Sequence, residues 1–219
     1  MYWTEESEEE AYQVPDDVLD MTFSIRCDTL PVDHAWALSR AIRAVLPWFG
    51  EEPRCGLHTI HVADSGNGWE RPQGASDLLY PSRRTKLVLR LPAAKIDDAR
   101  ALCGEILDVD GNPLRVLSAK TRLLALTPIL YSRYVASETG WSEDEFMHYA
   151  VGELKRLRLR FKKVLCGKDC TLTTPDGALP TRSLMVANMP FEDAVTLQEE
   201  GIGRHYALGC GLFIPQKSF

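Results

Sequence analysis

The hydrophobic pattern of this chain changes period in a fixed order, and it does so twice. In residues 20–28, DMTFSIRCD, the apolar Met21, Phe23, Ile25 and Cys27 fall on every second position, the spacing of a half-buried strand. Residues 33–46 lengthen the spacing, so that Leu38, Ala41, Ile42 and Val45 form one stripe of a helix that Pro47 ends. Residues 57–62 predict a short strand, and residues 64–81 are rich in turn formers. TKLVLRL, residues 85–91, places Leu87, Leu89 and Leu91 on one strand face before Pro92. Residues 94–106 predict a second helix with Ile96, Ala99, Leu102 and Cys103 inward, and Asp110-Gly111-Asn112 reads as a tight turn between short strands. The order is βαββαβ.

The same order starts again after residue 122. Residues 124–137 contain a strand. Ser142, with Glu145 three positions on, predicts a capping box opening a helix over 143–161. Strands over 163–174 and 179–189 flank Pro175-Asp176-Gly177. A short helix over 191–200, a glycine-rich loop over 201–211 and a strand over 212–215 complete the unit. The fold class expected is α+β: tandem ferredoxin-like (RRM-like) βαββαβ domains, one over residues 21–118 and one over 122–219, joined near 118–122. No sequence repeat links the halves; only the pattern repeats.

A chain of 219 residues has room for two such units of about 100 residues. The formal charge of -6 is unevenly spread. Residues 1–20 hold eight acids and no Lys or Arg, which leaves 23 acids against 25 bases in the rest. That segment reads as a solvated, flexible acidic tail, or as a competitor of a polyanion for a basic surface. No stretch has the ~20 apolar residues of a membrane span, and the start lacks the order of a signal peptide, so a cytoplasmic protein with no membrane partner is expected. Of the six cysteines only Cys166 and Cys170 are close, and neither disulfides, a structural metal nor any cofactor is expected.

Three features carry chemistry. Lys155, Arg156, Arg158, Arg160 and Lys162 cluster at the end of the predicted 143–161 helix. They offer guanidinium forks to RNA phosphates and base edges, or equally a solvated face whose cations suit a helix C-terminus. Arg83 and Arg84, in SRRTK, hold an RNA backbone or guard an edge strand. The loop GIGRHYALGCG brings Gly201 and Gly203 beside Arg204, His205 and Tyr206: permissive backbone, a cation, a titratable ring and a stacking surface. Its glycine spacing is not a dinucleotide fingerprint.

The closing segment LQEEGIGRHYALGCGLFIPQKSF resembles the C-terminal glycine-rich motif of the CRISPR-associated repeat endoribonucleases, the Cas six family. LPVDHAWALSRAI and PWFGEEPRCGLHTI resemble the first helix and following strand of a short branch of that family, and RRTKLVLRLP fits the same branch. The resemblance spans both halves and implies the fold already reached from pattern. It implies an enzyme that cuts precursor CRISPR RNA inside each repeat, leaving 2′,3′-cyclic phosphate and 5′-OH ends. Its partners would be a repeat stem-loop and the subunits of a CRISPR effector complex. The alternative is a subunit that binds repeat RNA without cutting it.

Cleavage of RNA without metal requires a base for the 2′-OH proton, a cation for the phosphorane and an acid for the 5′-O leaving group. Histidine and arginine suit these tasks. Similar enzymes gather their catalytic residues on the first helix, the loop after it and the next strand, which makes His58 the first candidate and His34 the second. Arg43 and Arg40 are candidates for the phosphate. His34 stands on the apolar side of its helix and suits a structural role as well; His61 is expected to be buried, His148 to lie on the surface, and His205 to touch RNA.

Overall fold

Asp20, placed by composition in the acidic tail, is a buried strand residue. The computed structural model describes residues 12–62, 74 and 77–216. In it β1 (Val18–Arg26) begins before Asp20 and forms the middle of a five-stranded sheet. The chain continues through β2 (Leu30–Pro31), α1 (Ala35–Val45), β3 (Gly56–His58), β4 (Leu78–Leu79), β5 (Lys86–Pro92), α2 (Ile96–Ala99), β6 (Ile106–Val109) and β7 (Asn112–Arg122). The sheet order is β3-β5-β1-β7-β6, and β2 pairs with β4 apart from it. Leu38 and Ile42 of α1 meet Leu57, Leu87, Leu89, Met21 and Phe23 in one core, as the alternating pattern requires.

The second unit comprises β8 (Ile129–Ala136), α3 (Glu143–Arg156), β9 (Lys163–Thr174), β10 (Gly177–Ala187), α4 (Phe191–Glu200) and β11 (Ile214–Pro215), with sheet order β11-β8-β10-β9. The first and third strands of the unit are central, which is the ferredoxin-like arrangement. Phe146, Ala150 and Leu154 of α3 pack on Leu130, Leu184, Val186 and Phe213. The capping box at Ser142 forms with both of its hydrogen bonds.

Several bounds differ from the sequence expectation. Residues 1–11 of the expected tail lie outside the described residues, as do 63–73, 75 and 76 of the turn-rich loop. Tyr12 and Val14 pack beside Val18, Leu124 and Val195. The helix expected over 94–106 shrinks to α2 with a 3-10 turn on each side. Cys103 turns extended, Gly104 takes a φ of +97°, and both Cys103 and Ile106 are exposed. β7 runs on through Arg122 because Thr121 and Arg122 still pair with Met21 and Asp20, so the connection to β8 is 123–128. The Asp110-Gly111 turn forms as expected, with both residues at positive φ, the requirement of a two-residue hairpin with native twist.

The register explains how the two units lock. Asp20 lies opposite Arg90 on one side and Arg122 on the other, so three charges form one row across the sheet. Arg90 is 1% exposed. Its Nε and Nη2 donate to the Asp20 carboxylate at 2.9 and 3.2 Å. Its Nη1 donates to the carbonyls of Gln198 and Phe213 in the second unit, at 2.9 and 2.8 Å. Asp33, just before α1, accepts from the Thr173 N–H of β9 at 2.7 Å, a second tie between the units.

Removing one partner of a buried ion pair strands the other charge. Arg90→Met is expected to lower stability by roughly 3–5 kcal/mol, and the double variant Asp20→Asn/Arg90→Met to lose less than Arg90→Met alone. Equilibrium urea unfolding followed by far-UV circular dichroism measures both.

Candidate functional site

The glycine-rich loop is shaped from inside and docked from outside. α4 ends at Gly201, whose φ of +61° turns the chain out of the helix. A side chain there would bring a Cβ to 2.6 Å from the Gly211 carbonyl oxygen, because the two ends of the loop close on each other. The Ile202 N–H donates to Gly211 O, and the Gly211 N–H to Tyr134 O on β8. Gly209 lies against β3 of the first unit, where a Cβ would meet the Leu57 carbonyl at 2.8 Å. Gly201, expected at the RNA, is buried, and its lack of a side chain serves loop closure; Gly203 is half-buried beside the Tyr149 hydroxyl.

Docking this loop on β3 opens a cleft of about 340 Å³ between the units. Trp36 and Arg43 from α1, residues 50–53 and Cys55 from the following segment, and His205 and Tyr206 from the loop line it. The Arg43 guanidinium stacks over the Trp36 ring at 5.2 Å, which fixes a cation on the cleft wall. His205 is held at φ 66° with its side chain exposed. Partial burial, and then the neighbouring Arg204 cation, push its imidazole below the ordinary value, so the ring is a neutral base at pH 7. Burial pushes the Tyr206 hydroxyl up to about 12, which keeps it a proton donor.

The other histidines are placed elsewhere. His34 is buried: its Nε2 accepts from the Ile60 N–H at 3.0 Å, so its Nδ1 carries the proton and donates to Pro31 O at 2.8 Å. With both nitrogens engaged it pins the start of α1 to the segment after β3. His58 projects from the face of β3 opposite Leu57, and therefore opposite α1 and Arg43. It stands beside the charged row, its Nε2 sealed from solvent and 3.5 Å from Asp20 Oδ1, too loose for a hydrogen bond. Since β3 stops at His58, His61 is exposed rather than buried, and His148 bonds the Asp144 carbonyl on α3.

Many of the cations singled out in the sequence already have partners. α3 ends at Arg156, five residues earlier than expected, because Arg158 takes a φ of +58° and turns the chain. Arg160 then bonds Asp193 and Glu192 at the start of α4, at 2.7 and 2.6 Å. Arg156 pairs with Glu153, Arg204 with Glu138, and Arg40 with Asp110. Lys155, Arg158 and Lys162, with Arg83 and Arg84 in the turn before β5, are exposed and have no ion pair among the described residues. No three of His, Cys, Asp and Glu converge as metal ligands would among the described residues.

The sequence profile of the Cas6 CRISPR family matches residues 19–218. The chain belongs to the Cas6 family. A Cas6 CRISPR-associated endonuclease of Myxococcus xanthus is 24% identical over 197 residues, covering 90% of this chain and 81% of that protein. A solved CRISPR-associated Cas6 protein superposes with a TM-score of 0.65 at 12% identity, over 91% of this chain and all of the other. A RAMP protein that binds different RNA substrates gives 0.62 at 13%, covering 90% and 98%. The CRISPR endoribonuclease Cse3 bound to a 19-nucleotide RNA gives 0.52 at 13%, covering 91% and 98%. These likenesses establish the tandem ferredoxin-like fold for this Cas6 member.

Two outcomes follow from the site. Burial holds the His58 ring below its ordinary pKa, with Arg90 and Arg122 adding to this against Asp20. The unfolded chain therefore takes a proton that the folded chain refuses, and stability falls as pH drops below ~6.5. Burial alone would raise Asp20, but the Arg90 guanidinium holds its carboxyl well below the carboxylate range. Its contribution is complete above pH ~4 and is lost only at lower pH. The loss between pH 7.5 and 5.5 is expected to be smaller in His58→Gln, read from urea midpoints at both pH values. Gly209→Ala, at φ +86° against the Leu57 carbonyl, is expected to cost more than about 1 kcal/mol. Hydrogen exchange of residues 201–211 would show the loop released.

Proposed function

We propose that this chain binds a CRISPR repeat transcript and cuts it once within the repeat, by metal-independent attack of a 2′-OH on the adjacent phosphate. The observation that carries this reading is the cleft where α1 and the glycine-rich loop bring Arg43, His205 and Tyr206 together. Neutral His205 removes the 2′-OH proton. Arg43 neutralises the phosphorane, and the Tyr206 hydroxyl donates toward the departing 5′-oxygen. The products are a 2′,3′-cyclic phosphate and a 5′-OH. Lys155, Arg158 and Lys162 on the second unit, with Arg83 and Arg84 on the first, neutralise the RNA backbone. The RNA-bound Cse3 and the RNA-binding RAMP protein, which share the fold, support RNA as the ligand. Such a substrate places the protein in the cytoplasm, as the RNA-binding member of a CRISPR effector complex.

A second reading keeps His58 as the base. The Asp20 carboxylate 3.5 Å from Nε2 favours it, because a nearby negative charge attracts the protonated ring. Site-directed variants decide between the two. His205→Ala and Arg43→Gln are each expected to slow single-turnover cleavage of repeat RNA in EDTA by 100-fold or more, with affinity changed only a few-fold. The fall in rate below pH ~6.5 should vanish in His205→Ala. His58→Gln should keep its rate; loss of cleavage in that variant alone would move the chemistry to the face of β3. An intact 2′-deoxy control confirms the nucleophile, and binding without cleavage by the wild-type chain would mark a subunit that only holds RNA.

A further inference from the structure

The sheet of the second unit has one face under helices; the other meets Ala35 of α1 at one end, against Ala136 and Leu172, and is open at the other end, where it is not a random surface. The register places Ile214, Tyr131, Met185 and Leu165 directly beside one another, one from each of β11, β8, β10 and β9. Their neighbours in sequence, Leu130, Leu184 and Phe213, point the other way into the core under α3. The four side chains line a depression of about 520 Å³, with Arg133, Gly167, Ser183 and Gln216 around them, and every lining residue belongs to the second unit. Leu165, at its edge, is 52% exposed.

We propose that this depression is a base-stacking platform for a single-stranded segment of the bound RNA, with Tyr131 as its ring. The proposal rests on the RNA-binding reading above and adds a site to it. Charge selects the occupant. Arg133 lies two residues from Tyr131 on β8, and strand alternation puts Lys163 two residues from Leu165 on the same face of β9. A cation thus flanks the apolar row on each side, and among the described residues no carboxylate lines the depression. Asp169 lies beyond a register shift in β9, opposite Arg182, whose side chain meets Glu143 of α3 on the other face. A flat aromatic between aliphatic side chains, bracketed by cations and bordered by the hydrogen-bonding Ser183 and Gln216, matches a nucleobase with phosphates on both sides. An apolar protein surface would leave Arg133 and Lys163 without counter-charges.

The test uses the full chain and two probes: an unstructured RNA of about ten nucleotides carrying 2-aminopurine, and a whole repeat RNA. Wild type should bind the short probe with a change in 2-aminopurine fluorescence. Tyr131→Ala should weaken that binding by about five- to 100-fold, Tyr131→Phe by less than twofold. Leu165→Glu, at an exposed position that tolerates change, should weaken it as well. Arg133→Gln should lower the salt slope by about one contact. Unchanged affinity in both Tyr131→Ala and Leu165→Glu, with wild type binding RNA, overturns the platform alone. Wild type that ignores both probes overturns the RNA reading and the platform with it.

Discussion

A single buried guanidinium sets the relation between the two units. Arg90 sits on the middle of a strand that sequence reads only as apolar on its other face, and five donors on one planar group let it serve two masters. Its Nε and Nη2 meet Asp20 in its own sheet, and the two N–H groups of Nη1 reach two carbonyls of the second unit. Those carbonyls come from Gln198, near the end of α4, and Phe213, just before β11, so they bracket the glycine-rich loop. The loop is therefore clamped at both of its roots by a residue of the first unit. Gly209 then lies on β3, and His205 and Tyr206 are carried over α1. A lysine could not replace Arg90, since its point charge lacks the fork that spans carboxylate and carbonyls together.

Charge on this molecule is sorted more than its total suggests. Arginines that look like RNA ligands in sequence, Arg156, Arg160 and Arg204, are matched with carboxylates on the same or a neighbouring element. Exposed pairs of this kind contribute little to stability, and a polyanion competes for them at modest cost. Arg160 differs, because its backbone N–H also bonds Asp193 and so ties the segment after α3 to the first turn of α4. Among the described residues, Lys155, Arg158 and Lys162 after α3 and Arg83 and Arg84 before β5 have no such partner, one set in each unit, which suits a ligand long enough to touch both.

The fold was legible because both units obey their periods. Leu87, Leu89 and Leu91 fixed a strand, Leu38 and Ile42 fixed α1, and Ser142 with Glu145 fixed the first turn of α3. Where sequence reasoning missed, a local conformation overrode a continuing pattern. Arg158 at positive φ ended α3 although Leu157 and Phe161 prolonged its apolar stripe, and Gly104 cut short the helix after β5. The site was half legible. Arg43 and His205 were both singled out, but their meeting in one cleft depends on how the units dock, which no local pattern encodes. Asp20 was hidden by the acids around it. Its signal lay in its even spacing within β1 against the apolar Met21 and Phe23, facing the one arginine inside TKLVLRL.

Strand β8 connects the two surfaces that the proposed RNA would touch. Tyr131 stands on its open face, and three residues on, the Tyr134 carbonyl holds the Gly211 N–H that closes the loop. Three residues of strand span about 10 Å, so one short stretch of β8 serves both surfaces. A base seated on Tyr131 and a phosphate beside His205 would thus be measured against one rigid element. On that proposal neither contact would need to recognise sequence for the cut to fall at a fixed place: the distance along β8 and around the docked loop would act as a ruler, counted from the stem-loop.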